Sequence, residues 1–294
     1  MLCFPHAKIN LGLYVTDKRT DGFHTIQTLF YPVPFHDILE IVPADKAAVY
    51  LSGKTIDGST GNNLCWKAYR LLQNDYALPP AAIYLHKLIP TGAGLGGGSS
   101  DAAHTLLVLN RLFELNRSNE QLLYYAAQLG SDCAFFTQMQ PMLAEGRGEL
   151  LRPANISLAG YYLLLVLPNV HISTAEAYAG ISPKTPRYAL EETINLPVKE
   201  WRHQLSNDFE EHIFKRHPLL AAIKEDLYSK GAVYAAMSGS GSTIFGLFDD
   251  EFLCSKAAAS FDFSLRSTGV TFRISLIAYY NISFGELMVP LNIC

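Results

Sequence analysis

The segment Pro90–Asp101, PTGAGLGGGSSD, constrains the fold more than any other part of this 294-residue chain. Five glycines fall within residues 92–98, and glycine is costly to order, so this density predicts a special backbone geometry or a close approach. Residues 82–90 alternate as in a strand, and the apolar residues after Asp101 recur at helical intervals. We therefore predict a strand, a tight loop, and a helix that begins at Ser99 or Ser100.

A glycine loop of this kind presents bare backbone N–H groups at a helix N-terminus, which is a typical site for phosphate. Gly92, Gly94 and Gly97 satisfy a dinucleotide-binding fingerprint, but a single match is weak, and neither the regular βαβ frame nor the expected acid follows it. A Walker-type triphosphate loop needs a lysine where Gly98 stands. A flexible linker would not lie tightly between a strand and an amphipathic helix. The residues indicate an anion-binding loop of another type.

The composition is that of a globular protein with two domains. Hydrophobic residues make up 49%, the net charge is −4 and the pI is about 6.1, which argues against non-specific nucleic-acid binding. The most apolar run, Tyr161–Leu167, is far shorter than the roughly 20 residues that span a bilayer, and the first residues lack a signal-peptide pattern. We expect a cytoplasmic protein of the α+β class with domains at 1–153 and 154–294.

Several other segments carry polar residues in ordered patterns. AKINLGLYV at 7–15 alternates as a strand that places Lys8 and Asn10 on its polar face. Asn62 or Asn63 is a predicted cap of a helix that extends to Gln73. Asp132 follows a predicted helix at 119–130, and Ser173 is a predicted cap of the helix at 173–180. Residues 231–248 are typical of a strand, a Gly/Ser turn and a second strand.

In their order along the chain, these segments resemble the GHMP kinases, small-molecule kinases named for galactose, homoserine, mevalonate and phosphomevalonate. The glycine loop is similar to their second motif, residues 7–15 to their N-terminal strand, and MSGSGSTIFGLF at 237–248 to their third motif. RTDGFHTIQTLF (19–30), LGSDCAFF (129–136), AEGRGE (144–149) and SNDFE (206–210) are similar to the members that act on a cytidine diphosphate-linked methylerythritol. The shared order makes the resemblance specific.

The resemblance implies a two-domain GHMP kinase fold, with an N-terminal domain like the second domain of ribosomal protein S5 and a ferredoxin-like C-terminal domain. It implies ATP and Mg²⁺ as cofactors. The reaction would phosphorylate the 2-hydroxyl of the cytidine-bearing acceptor, within a non-mevalonate route to isoprenoid precursors. Asp132 would be the catalytic acid–base residue, and Lys8 would keep its carboxylate ionised and orient the attacking hydroxyl.

The resemblance also implies a set of binding residues. Those on the ATP side would be Asn63, Lys87, Gly92, Gly94, Leu95, Gly96, Gly97, Gly98, Ser99 and Ser100. On the acceptor side, Phe23 would stack on the cytosine, His24 would hydrogen-bond its edge, and Tyr178 would form a second aromatic wall. Asn10 and Thr174 would contact the methylerythritol and diphosphate.

Two features depart from the family pattern. Arg147 stands where a small or apolar residue is expected, and no carboxylate matches the metal-binding glutamate of other GHMP kinases, so Mg²⁺ could fall to Ser100, the phosphates and water. Two alternatives stay open: a kinase for a sugar, homoserine or mevalonate, and a catalytically silent nucleotide binder. The Phe23–His24 pair argues against the first, because those acceptors lack a base, and the joint presence of Lys8 and Asp132 argues against the second. The sequence does not indicate an oligomeric state.

Overall fold

A computed structural model describes residues 1–56, 60–267 and 274–281. Its strands are β1 (Leu2–Cys3), β2 (His6–Lys18), β3 (His24–His36), β4 (Ile38–Pro43), β5 (Ala48–Gly53), β6 (Ala81–Lys87), β7 (Met142–Glu145), β8 (Leu150–Pro153), β9 (Tyr162–Pro168), β10 (Tyr234–Met237), β11 (Ile244–Phe248) and β12 (Ile274–Asn281). Its helices are α1 (Leu64–Tyr76), α2 (Gly97–Leu112), α3 (Asn119–Leu129), α4 (Thr174–Ala179), α5 (Leu190–Ile194), α6 (Phe209–Arg216), α7 (Pro218–Ser229) and α8 (Glu251–Ser267).

The strands up to Pro153 form two sheets, in the orders β1-β4-β6-β5 and β2-β3-β7-β8. In the first sheet β6 pairs antiparallel with β4 and parallel with β5. One face of this sheet packs on α1 and α2 through a core that includes Leu39, Ile83 and Leu106, while Tyr84 on the other face is exposed. The alternation along β6 therefore reflects a sheet that is covered on one side.

The strands from residue 162 onward form a third, antiparallel sheet in the order β10-β11-β9-β12. Helices α6 and α7 connect β9 to β10, and α8 connects β11 to β12, so two βαβ halves interleave with β9 and β11 at the centre. This is the ferredoxin-like arrangement expected for the second domain. No described strand lies between 153 and 162, and the boundary after Pro153 stays a prediction.

The two parts of the chain share a hydrophobic core. Leu11 and Tyr31, from β2 and β3, belong to the same buried cluster as Leu163 of β9 and Phe245 of β11. Burying apolar area across this junction stabilises it by roughly 25 cal/mol per Å². The elements that carry Lys8, the glycine loop and the β10–β11 turn are consequently packed against one another.

Most local predictions are confirmed, with one exception. Asn63 caps α1 by accepting a hydrogen bond from the Cys65 amide, and Ser173 caps α4. The predicted serine cap of α2 is wrong, because the helix begins at Gly97 and its N-cap is Gly96, in the left-handed region at φ 71°. A glycine cap carries no side chain, so the first amides of α2 have no side-chain acceptor.

No helix among the described residues combines the length and apolar character that crossing a membrane requires.

Candidate active site

A cleft of about 480 Å³ opens where β2, β3, the glycine loop, the turn after α3, α4 and the β10–β11 turn meet. The residues that line it include nine that the sequence pointed to: Lys8, Asn10, Phe23, His24, Gly94, Gly96, Asp132, Thr174 and Tyr178. Residues from both halves of the chain therefore contribute to one site.

Lys8 forms the floor of the cleft beside Asp132. The lysine lies on β2, which is buried on both faces, and it is only 3% exposed. Its Nζ is 3.7 Å from Asp132 Oδ2, 2.5 Å from Asn10 Oδ1 and 5.1 Å from the centre of the Phe30 ring. Burial lowers the pKa of Lys8, against the opposing attraction of Asp132.

Asp132 is the more accessible member of this pair. It lies in the turn directly after α3, which ends at Gly130 as predicted, and its side chain is 31% exposed. A short turn between a helix and the Phe135–Thr137 3₁₀ turn aims the carboxylate into the cleft. The geometry thus pairs a buried cation with a carboxylate that a ligand can reach.

A chain of hydrogen bonds holds Asn10 in one orientation. Asn10 Nδ2 donates to Thr28 Oγ1 at 2.9 Å, and Thr28 Oγ1 donates to the Gly12 carbonyl at 2.5 Å. The amide oxygen is therefore turned toward Lys8. Sequence reasoning missed Thr28, because its contact with Asn10 depends on the pairing of β2 with β3, in which Asn10 lies opposite Phe30.

Protein packing explains part of the glycine density. Gly94 has φ 77°, and a Cβ there would lie 1.9 Å from the Ser238 carbonyl oxygen. Ser238 Oγ donates to the Gly94 carbonyl at 2.9 Å, and the Thr243 amide donates to the Ala93 carbonyl. Gly98 differs, since the nearest atom to its Cβ would be Leu64 Cδ1 at 3.8 Å. The loop therefore docks on the β10–β11 turn at Gly94 and is open at Gly98.

The structure separates the predicted ATP-side residues into two groups. Gly94 and Gly96 line the cleft. Lys87 and Ser100 do not, because Lys87 is 2% exposed between two carboxylates and Ser100 is buried with its hydroxyl beside His104 Nδ1 at 3.4 Å.

The remaining ATP-side residues vary in exposure. Leu95 is buried, Ser99 is partly buried, and the Asn63 side chain is engaged as the α1 cap. Gly92 and Gly98 are exposed, while Gly97 is buried against Ile89. A direct contact of Lys87 or Ser100 with a nucleotide does not fit this geometry.

Aromatic side chains form the outer end of the cleft. His24 stacks on Tyr178 with ring centres 4.7 Å apart and 22° between their planes, and Tyr178 meets Phe209 edge to face. Phe23 is 53% exposed, with the Arg147 guanidinium 5.0 Å from its ring centre. The predicted residues Phe23, His24 and Tyr178 do lie together. However, the His24 ring covers Tyr178, so Tyr178 does not form an open second wall.

Asn207 fixes the β10–β11 turn against the site. Its Nδ2 donates to the Met237 and Gly239 carbonyls at 2.8 Å each, and its Oδ1 accepts from the Phe209 amide. Gly239 and Ser240 line the cleft. The SNDFE segment was noted in the sequence without a role for Asn207, because the carbonyls it binds lie 30 and 32 residues away.

Comparisons with known proteins identify the family of the chain. Residues 63–139 match the N-terminal domain of the GHMP kinases, and residues 189–261 match their C-terminal domain. A protein of Bacteroides fragilis named 4-diphosphocytidyl-2-C-methyl-D-erythritol kinase is 51% identical over 255 residues, which cover 85% of this chain and 93% of that protein. A protein of the same name from Cytophaga hutchinsonii is 47% identical over 250 residues, covering 85% and 93%.

Solved structures show the same relationship. The crystal structure of a 4-(cytidine 5'-diphospho)-2C-methyl-D-erythritol kinase superposes with a TM-score of 0.78 at 30% identity, over 89% of this chain and 95% of that one. The mevalonate kinase of Methanococcus jannaschii shares the fold, with a TM-score of 0.66 at 13% identity over 96% and 97%. The chain belongs to the GHMP kinase family of small-molecule kinases.

Proposed function

We propose that this protein transfers the γ-phosphoryl group of ATP to the 2-hydroxyl of 4-diphosphocytidyl-2-C-methyl-D-erythritol. The observation that carries the proposal is the Lys8–Asp132 pair, which faces a cleft bounded by the glycine loop on one side and by Phe23, His24 and Tyr178 on the other. The names of relatives about half identical to this chain support the acceptor. The reaction would serve the non-mevalonate route to isoprenoid precursors.

In the proposed reaction Asp132 receives the proton of the acceptor hydroxyl. The hydroxyl oxygen forms a bond to Pγ while the bond from Pγ to the β–γ bridging oxygen breaks, which gives the phosphorylated acceptor and ADP. Lys8, 3.7 Å from the carboxylate, holds it toward the hydroxyl and adds positive charge beneath the transferring group. Asn10 restrains the lysine through the hydrogen bond to its ammonium.

The glycine loop and the N-terminus of α2 would bind the ATP phosphates. The first amides of this 16-residue helix carry no side-chain cap, and an N-terminus of this kind favours anions. Gly98 is open on the protein side, so the absence of a side chain there leaves room for a phosphate. The other predicted phosphate contacts lie in the loop, at Gly92 and Gly96, or in the first turn of α2, at Gly97 and Ser99.

Mg²⁺ would enter with the nucleotide. Among the described residues no group of three or more His, Cys, Asp or Glu side chains could hold a metal ion by itself. That fits the usual behaviour of Mg²⁺ in kinases, which keeps several waters and binds through substrate phosphates with one or two carboxylates. When bound, the ion would neutralise charge on the phosphates, which together with water would supply most of its ligands.

The acceptor would lie with its base among the aromatic residues. Phe23 would stack on the cytosine, His24 would hydrogen-bond the edge of the base, and Tyr178 would close the other side. Thr174, exposed at the start of α4, would contact the methylerythritol diphosphate. His24 stacks on Tyr178, so a base that lies between these two rings would have to separate them.

The proposed partners are ATP and this small molecule, without a nucleic acid or a membrane surface. We also propose a cytoplasmic location. The four described cysteines, Cys3, Cys65, Cys133 and Cys254, are free and buried, as is usual in a reducing compartment.

The direct test is an ADP-release assay that offers the cytidyl diphosphate acceptor, mevalonate, homoserine and galactose in parallel. Turnover with the cytidyl acceptor alone is expected. Turnover with another acceptor and none with this one would overturn the proposal.

A variant pair tests the base site separately. Phe23→Ala is expected to raise KM for the cytidyl acceptor about tenfold with little change in kcat, because stacking is worth about 1–3 kcal/mol per base. Tyr124→Ala removes an aromatic side chain that is exposed on α3 away from the cleft, and it should leave KM unchanged. An unchanged KM in Phe23→Ala would contradict the stacking role.

A further inference from the structure

A cluster of three buried charges lies behind the glycine loop. Lys87 Nζ contacts Asp37 Oδ2 and lies 2.6 Å from Asp101 Oδ2, and none of the three side chains is more than 3% exposed. Buried ion clusters of this kind add little net stability compared with apolar residues of the same size. Their retention here calls for a role other than filling the core.

The three residues stand at the two ends of the glycine loop. Lys87 is the last residue of β6, where the chain enters the loop, and Asp101 lies in the second turn of α2, where the chain leaves it. Asp37 directly precedes β4, the strand paired with β6. The ion cluster therefore fastens the entry and the exit of the loop to the same sheet.

Asp37 also binds the first part of the loop directly. Its Oδ1 accepts hydrogen bonds from the Leu88 amide at 2.6 Å and the Ile89 amide at 2.9 Å, while its Oδ2 binds Lys87. One carboxylate thus fixes three groups at the point where β6 ends. The direction in which the chain enters the loop follows from this arrangement.

The middle of the loop is held by other elements. The Lys8 amide donates to the Leu95 carbonyl at 3.0 Å, and Ser238 Oγ donates to the Gly94 carbonyl. These contacts come from β2 and from the β10–β11 turn, so they fix the loop relative to the acceptor side of the cleft. The ion cluster ties β6 to α2 at the two ends of the loop, and the position of α2 sets that of the Gly97 and Gly98 amides.

We propose that Lys87, Asp37 and Asp101 are positioning residues for the nucleotide, which hold the ends of the glycine loop so that the first amides of α2 meet the ATP phosphates. Lys87 acts through the loop and does not touch ATP, in contrast to the direct contact expected from the sequence. The inference rests on the proposed use of this loop for ATP, and it makes no use of the identity of the acceptor.

The test separates positioning from stability. In the double variant Lys87→Met/Asp101→Leu, apolar side chains of similar volume replace one cation and one anion, so the net charge of the cluster is unchanged. Asp37 keeps its two backbone donors in this variant. A second variant, Asp101→Asn, keeps the shape of the side chain and changes one charge.

ATP binding is measured by calorimetry with Mg²⁺ and without acceptor, so the result does not depend on which alcohol is phosphorylated. We expect Kd for ATP to rise at least tenfold in the double variant and several-fold in Asp101→Asn. Kd for cytidine diphosphate, measured in the same way, should stay within twofold.

Asp75→Asn is the matched control. Asp75 accepts a hydrogen bond from Tyr125 at the far end of α1, so its loss affects the same layer without touching the loop. The control should lower the melting temperature while leaving Kd for ATP unchanged. Wild-type Kd for ATP in a folded double variant, or equal weakening of ATP and cytidine diphosphate, would overturn the positioning role. Failure of wild-type protein to bind ATP at all would instead overturn the proposed function.

Discussion

Lys8 and Lys87 are both buried cations in the same half of the molecule, yet their surroundings differ. Lys87 is enclosed by two carboxylates, and their attraction raises its pKa despite the burial. Lys8 has one carboxylate at 3.7 Å and an amide oxygen, and burial lowers its pKa. Lys87 is therefore fully paired with carboxylates, as expected of a positioning group. Lys8 is less fully paired and can still attract an anionic ligand, as expected of a catalytic group.

The largest expected effect concerns the partner of Lys8. Asp132→Asn should lower kcat about 10³-fold, because removal of a general base typically costs 10²- to 10⁴-fold in rate. Kd for ATP should stay near the wild-type value, as measured by calorimetry. Asp226→Asn, which changes a half-buried carboxylate of α7 paired with Lys230, is the control and should turn over normally. Near-normal kcat in Asp132→Asn would show that Asp132 is not the general base.

The next effect concerns the enclosed lysine. Lys87→Met should lower the free energy of unfolding by about 3–5 kcal/mol, because it leaves two buried carboxylates without their cation. Arg152→Met breaks an exposed pair with Glu191 and should change it by at most about 1 kcal/mol. Urea denaturation measures both. Equal losses in the two variants would show that Lys87 is no better paired than a surface residue.

Lys8→Met should affect catalysis more than stability, in contrast to Lys87→Met. We expect kcat to fall about 10²-fold through loss of the positive charge beside Asp132, with a change in unfolding free energy below about 1.5 kcal/mol. Because the folded protein lowers the pKa of Lys8, the folded state holds fewer protons than the unfolded chain just below pH 10.5, and wild-type stability gains there as pH rises. A loss in Lys8→Met as large as that in Lys87→Met would break the comparison.

The smallest effect is a pH dependence at Asp101. Burial raises the pKa of this carboxyl to about 7 against the opposing attraction of Lys87, whereas in the unfolded chain the pKa is near 3.8. Between these two pH values the folded protein therefore keeps a proton that the unfolded chain has lost. Stability contributed by this group is therefore lost as pH rises through about 7. The difference in unfolding free energy between wild type and Asp101→Asn should fall by about 1.4 kcal/mol from pH 6 to pH 8.

Burial shifts the pKa of other titratable groups near this helix away from neutral pH. Burial lowers the pKa of His6 and His104, the latter to about 4, and lowers that of His36, while burial raises the pKa of the Cys3 thiol to about 12 and that of Cys65 still further. A flat difference between pH 6 and pH 8 would show that Asp101 is ionised throughout.

The sequence predicted the elements of the fold well where a pattern is local. The strand at Lys8, the helix that ends at Gly130 and the caps at Asn63 and Ser173 all follow from short-range rules. The start of α2 was placed too late, because serine is the commoner cap and nothing local shows that Gly96 takes the left-handed conformation.

Long-range pairings were beyond local rules. Lys87 resembled a nucleotide ligand by its place before the loop, and only the pairing of β4 with β6 brings Asp37 to its ammonium from 50 residues away. Thr28 and Asn207 likewise acquire their roles from partners in distant segments. Nine of the site residues that the resemblance implied line one cleft, whereas Lys87 and Ser100 do not, and the roles of the nine stay predictions.

The contact at Gly94 has a mechanical consequence. The Ser238 carbonyl lies so near that any side chain at position 94 would collide with backbone of a segment 144 residues away. The glycine loop and the β10–β11 turn therefore meet there backbone to backbone. Gly94→Ala would therefore push the glycine loop away from the β10–β11 turn. The two sides of the cleft would be misaligned before any phosphate is bound.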